Sequence, residues 1–233
     1  EGFNGTISGT REAVDTVLNH LKTHIVHGEF EHKESLNEKQ PFGRAKVRLK
    51  KETISLGEDV SLAHRGTYVE PKDWNALISD PDVIVIDTRN TYETHIGTFE
   101  GAKDPGIRTF KQLPDYVHTH LDPAKHKKIA TFCTGGIRCE KFTAWLKQEG
   151  FENVYHLKGG ILKYLEEIPE SESKWQGECY VFDERVAVGH GLAPSISASQ
   201  CPACGHALTS EDRKHTLYVE GRRCGFCNDA GKP

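Results

Sequence analysis

Two short runs of aliphatic and β-branched residues, Val83-Ile84-Val85-Ile86 and Lys128-Ile129-Ala130-Thr131-Phe132, limit the fold most sharply. Neither alternates apolar with polar, so each reads as a strand covered on both faces, not as one side of a solvated sheet. Helical patterns lie between and after them. One spans 71–78 and opens at Pro71, one spans 141–148 and stops near Gly150, and one spans 161–167 after Gly159-Gly160. A third strand is predicted at 153–157. Strands in alternation with helices predict a parallel sheet with right-handed crossovers over residues 67–170.

The flanks differ in texture. Residues 1–66 hold a helical face at Val14, Val17, Leu18 and Leu21, with Thr10 placed to cap it. A strict alternation over 44–50 then predicts a strand with Arg44, Lys46, Arg48 and Lys50 on one face and Ala45, Val47 and Leu49 on the other. These elements predict part of a small α/β sandwich of ferredoxin-like type. The start at Glu1 and the lack of any Met predict a truncated domain whose earlier strand and helix are missing from the sequence. Residues 171–233 are polar and Cys-rich, with too little apolar surface to fold without a staple or a neighbour. The fold class is therefore α/β: a central parallel-sheet domain (67–170) between the small N-terminal domain (1–66) and a Cys-rich C-terminal segment (171–233).

Charge and cysteine usage bound the function. With 30 Lys+Arg against 34 Asp+Glu, the net charge of −4 excludes a uniformly basic nucleic-acid binder but leaves room for a local patch. No apolar run reaches the roughly 18 residues of a membrane span, and no secretory leader is present. Seven clustered cysteines in a chain of 233 residues point to a reducing compartment, the cytoplasm, with catalytic or metal-binding thiols.

Three features carry chemistry. The first is Cys133-Thr134-Gly135-Gly136-Ile137-Arg138, set between a buried strand and a helix. Backbone N–H groups in such a turn form an anion nest, and the helix N-terminus favours a thiolate at its first position. Arg138 offers a donor fork for an oxyanion or a sulfur-bound group. The plainer reading of Cys133 is a buried structural thiol, but two glycines and an arginine within six residues favour the nucleophile. The second feature is Cys201-Pro202-Ala203-Cys204 with Cys224-Gly225-Phe226-Cys227, whose spacing suits a four-thiolate structural zinc site more than a redox pair or unliganded thiols. The third is the basic run Arg44, Lys46, Arg48, Lys50 and Lys51. It reads either as a track for RNA phosphates or as an edge strand guarded against pairing. No dinucleotide fingerprint for flavin or nicotinamide is present, nor a two-His-one-carboxylate iron pattern.

Asp87-Thr88-Arg89 after a buried strand, Tyr92-Glu93, Ile96-Gly97, Gly101-Ala102 and the Cys133 loop together resemble a rhodanese domain over roughly residues 70–168. Four residues separate Cys133 from Arg138, one fewer than in cysteine phosphatases of related fold. The strings from Glu1 to Thr6 and from Gly66 to Val69, with Cys133 to Lys141 and Val181-Phe182-Asp183-Glu184-Arg185, are similar to the bacterial rhodanese-like tRNA uridine hydroxylases. That resemblance implies oxygen-dependent conversion of a tRNA wobble uridine to 5-hydroxyuridine. Molecular oxygen would be the co-substrate, tRNA the partner, and Cys133 the active-site cysteine, with a persulfide as its intermediate. Asp87 and Arg89 would support the loop. Cys139 reads equally as a resolving thiol or as a small filler in the first helical turn. Two other functions use the same loop: a thiosulfate sulfurtransferase and a non-catalytic redox-sensing module.

Overall fold

The computed structural model describes residues 2–26, 32–36, 38 and 40–228, so Glu1 of the opening string lies outside the described residues. The chain divides into two compact units, Glu1–Thr53 and Ile54–Pro233. Among the described residues, no helix is long and apolar enough to cross a membrane.

In the first unit, α1 (Arg11–His24) begins where the Thr10 hydroxyl accepts the Ala13 N–H at 3.3 Å. Leu18 is its buried residue. The strand predicted at 44–50 does not form. The backbone there is irregular, and Val47 and Leu49 are 94% and 100% exposed. Alternation prepares a chain for one face of a sheet, but a strand exists only once a neighbour accepts its ladder bonds. None of the described residues of this unit does so.

The second unit follows the predicted alternation. Its elements are β1 (Thr67–Val69), α2 (Pro71–Ile78), β2 (Val83–Asp87), α3 (Thr91–Thr94), β3 (Gly97–Phe99), α4 (Leu113–His120), β4 (Lys128–Phe132), α5 (Ile137–Gln148), β5 (Asn153–Leu157) and α6 (Gly160–Glu167). Strands β1, β5, β4 and β2 lie in that order and are all parallel. Period-2 alternation on both faces is what the apolar runs were for. Val85, Ala130 and Phe132 enter one core with Trp74, Phe99 and Tyr164, while Ile86, Ile129 and Val154 enter the other with Phe142, Trp145 and Leu113. Each such fully buried aliphatic or aromatic side chain contributes about 1.5–3 kcal/mol.

The Cys-rich region continues this unit as short antiparallel pairs. Strand β6 (Trp175–Gly177) pairs with β3, β7 (Cys179–Tyr180) with β8 (Ala187–Val188), and β9 (Ser199–Gln200) with β10 (Ala207–Leu208). Trp175 anchors the region by setting its ring edge-on to Phe99, at 5.1 Å between centroids. The string 181–185 closes the β7–β8 hairpin. There Arg185 grips Asp183 through Nε and Nη2 at 2.9 and 2.6 Å, and Val186 adopts φ 62°, a strained value for a β-branched residue. Its role is therefore a turn.

Candidate active site

Cys133 follows the last residue of β4, an interior strand, at the carboxyl edge where open parallel sheets form their crevices. Its side chain is buried, with 1% exposure. The chain then doubles back so that the Gly136 N–H donates to Cys133 Sγ at 3.1 Å. Gly136 makes that reversal at φ 92° and caps α5, a conformation that a Cβ would strain. Burial by itself would push the thiol up. The Cys139 thiol, the Arg138 charge and the N–H groups of Cys139 and Arg138 outweigh it and bring Cys133 down to about 6. That direction favours the thiolate at neutral pH.

Helix α6 holds the loop from outside. The Ile161 and Leu162 N–H groups donate to the carbonyls of Cys133 and Thr134 at 3.0 and 3.1 Å. Gly160 permits that approach at φ 67°, because a Cβ there would lie 2.5 Å from both carbonyl oxygens. Within the loop Gly135 and Ile137 are exposed, while Cys133, Thr134 and Gly136 are buried.

Arg138 departs from expectation. Its fork does not stand free for an oxyanion: Nη1 and Nη2 each donate to the Glu93 carboxylate at 2.6 Å. Glu93 is fully buried, and two lone ions in that place would each be costly, so they neutralise one another. Burial pushes the Glu93 carboxyl up, and the Arg138 charge and hydrogen bonds pull it below its ordinary value. The Thr134 hydroxyl also donates to Glu93, at 3.3 Å. Arg138 thus supplies Cys133 with a fixed positive charge, and Glu93 is the functional residue that the sequence reading left without a role. Its signal was present in the spacing Asn90-x-x-Glu93, the capping box that starts α3.

The side-chain hydrogen bonds of Asp87 and Arg89 go to each other and to the α3 and β3 segments, not to the Cys133 loop. Both residues are fully buried and joined through Arg89 Nε and Nη2 at 2.9 and 2.6 Å. Arg89 then donates to the backbone carbonyls of Glu93 at 3.3 Å and Gly97 at 2.6 Å. The pair fixes the α3 segment, and α3 presents Glu93. Cys139 is buried beside Cys133, with the Thr88 hydroxyl 3.5 Å from its sulfur. Burial and the adjacent Cys133 sulfur hold Cys139 as a thiol well above its ordinary range.

The second thiol cluster is closed. The sulfurs of Cys201, Cys204, Cys224 and Cys227 all lie within 4.8 Å of one another. Cys201 and Cys227 are 3.6 Å apart, Cys204 and Cys224 3.6 Å, and Cys224 and Cys227 3.9 Å. A tetrahedral zinc ion with Zn–S bonds of about 2.3 Å sets its sulfurs about 3.8 Å apart. The four residues therefore fit a metal such as zinc, and they leave no position open for a substrate. The basic residues Arg44, Lys46, Arg48, Lys50 and Lys51 are exposed, and the nearby Arg48 and Arg44 charges lower the Lys46 ammonium.

Comparison with known proteins divides the chain in the same way. Residues 1–53 match the UPF0176 acylphosphatase-like domain, and residues 70–167 match the rhodanese-like domain. Among solved structures, a rhodanese-related protein from Thermoplasma volcanium is 25% identical, covering 43% of this chain and 92% of that one (TM-score 0.37). A Rhodopseudomonas palustris protein of unknown function, described as a possible tyrosine phosphatase, is 22% identical over 42% of this chain and 79% of that one (TM-score 0.36). A rhodanese-like domain protein from Staphylococcus aureus is 20% identical over 42% and 90% (TM-score 0.36).

Proposed function

We propose that this chain, whose UPF0176 N-terminal domain and rhodanese-like domain give it the architecture of the UPF0176 rhodanese family, is an oxygen-dependent hydroxylase of the tRNA wobble uridine. The observation that carries the reading is the Cys133 thiolate, buried at the end of β4 with a Gly136 N–H on its sulfur and the Arg138 charge beside it. C6 of uracil is electrophilic, and a thiolate that adds there leaves negative charge delocalised over C5 and O4. C5 then reacts with molecular oxygen. One oxygen atom is kept as the 5-hydroxyl, and the other leaves as water with two electrons and two protons from an external two-electron reductant. Loss of the C5 proton together with the C6–S bond then restores the C5–C6 double bond and releases Cys133 as its thiolate. A base paired in a stem could not reach a sulfur this deep, so the nucleotide must be unstacked, as at a wobble position. The exposed Arg44, Lys46, Arg48, Lys50 and Lys51 are the proposed phosphate contacts.

The test is nucleoside mass analysis of tRNA from cells carrying only Cys133→Ser. Loss of 5-hydroxyuridine is expected, and an undiminished amount overturns the role of Cys133. A second reading shares the loop: sulfur transfer from thiosulfate through a Cys133 persulfide, which the same N–H donors would hold. Rapid turnover of thiosulfate with no binding of tRNA would select it.

A further inference from the structure

The four-cysteine region reaches the active site through one histidine. His95 ends α3, two residues after Glu93. Its Nε2 lies 2.8 Å from Asp212 Oδ2, and that oxygen also accepts the Thr209 N–H and hydroxyl, each at 2.7 Å. The His95 ring meets the edge of Phe226 at 4.9 Å, and Phe226 stands between the ligand pair Cys224 and Cys227. Next to it, Ile96 is buried with Tyr180, Ala187 and Ala207, and Ala207 lies three residues after Cys204. The far end of α3 is thus packed against the fold that the four thiols organise. Two residues before His95, the same helix carries the carboxylate that fixes Arg138.

From this the geometry points to a metal-dependent brace: zinc held by Cys201, Cys204, Cys224 and Cys227 fixes α3 through His95, and so holds Arg138 and the Cys133 loop in register. The physical reason is that polar segments of this kind gain their order from the metal. If the metal leaves, Phe226 and Asp212 lose their fixed places and α3 loses the support at its His95 end, while Arg89, the Ile107 carbonyl and Asp104 continue to hold the rest of it. The inference rests on the reading of Cys133 as a thiolate nucleophile. The ionisable groups acting most strongly on Cys133 are Cys139 and Arg138 of α5, and Glu93 and Tyr92 act on Arg138 in turn. A shift of Arg138 away from the sulfur removes that charge and lets burial push the Cys133 thiol up.

The test uses the full chain, reconstituted with Zn²⁺ and then stripped by a chelator under reducing conditions. Alkylation of Cys133 is followed on its own peptide across pH 5 to 9. The loaded protein is expected to show its midpoint near 6. The stripped protein should shift upward by at least about one unit, toward the free thiol, with the far-ultraviolet circular dichroism of the central domain kept. His95→Ala should shift the same way while still binding Zn²⁺, and His95→Gln, which can still bond Asp212, should restore most of the original profile. An unchanged midpoint in stripped protein overturns the brace alone. A free-thiol midpoint already in loaded protein overturns the thiolate reading and the brace together.

Discussion

The Cys133 loop and the Cys201–Cys227 cluster both depend on sulfur, and they use it in opposite ways. Cys133 has a guanidinium, a second thiol and backbone N–H donors around it, so its charge is stabilised with no metal. In the other region each sulfur has three more sulfurs within 4.8 Å. Burial pushes Cys204 and Cys224 up, while backbone N–H groups and the Cys224 and Cys227 thiols bring Cys201 down to about 7 against its own burial. Four thiolates at that spacing repel one another until a cation is shared among them. The same atom becomes a nucleophile where cationic and N–H groups surround it, and a structural ligand where its own kind surrounds it.

The largest expected break between the two regions comes from Cys133→Ser. On the proposed function it should abolish formation of 5-hydroxyuridine, and it should leave the zinc taken up on reconstitution, measured by elemental analysis, unchanged; a parallel loss of zinc would show that the two regions are not chemically separate. Before that substitution, alkylation of Cys133 should rise with pH through about 6 and then level off, since the reactive form is the deprotonated one. Cys179, which burial pushes up to about 12, should stay unlabelled throughout. Next in size is Glu93→Gln, which strands the Arg138 charge inside the protein. Removing one partner of a buried ion pair costs about 3–5 kcal/mol, to be read as a fall in the denaturant midpoint. Gly160→Ala forces a Cβ against two loop carbonyls at a left-handed φ. It should cost about 1–3 kcal/mol and slow Cys133 alkylation, again with zinc retained. The smallest effect belongs to the first unit. If these residues make the proposed phosphate contacts, Lys46→Gln with Arg48→Gln should flatten the salt dependence of tRNA binding by about 0.7 per residue on logarithmic axes, with Cys133 reactivity unchanged.

Legibility in the sequence followed the range of the interactions. Strand β4 and helix α2 could be read because apolar runs and a Pro at the first helical position are local signals. Residues 44–50 carry an equally clear pattern, yet pairing is settled by a distant partner, and the pattern alone cannot supply one. Helix α5 begins at Ile137, four residues before the pattern suggested, because Gly136 and the loop start it and no side-chain cap announces it. At the site, the position of Cys133 was legible from strand, glycines and helix. The pairing of Arg138 with Glu93 was not, because it joins residues 45 apart and burial makes two ordinary surface residue types into one neutral unit.

The tie between α6 and the loop has a consequence for selectivity. With the carbonyls of Cys133 and Thr134 already engaged by Ile161 and Leu162, those two oxygens are unavailable to a visitor. The Gly136 N–H is likewise committed to the Cys133 sulfur, and the guanidinium to the Glu93 carboxylate. What can be held beside the sulfur is therefore decided by the bonds the loop has already made with itself.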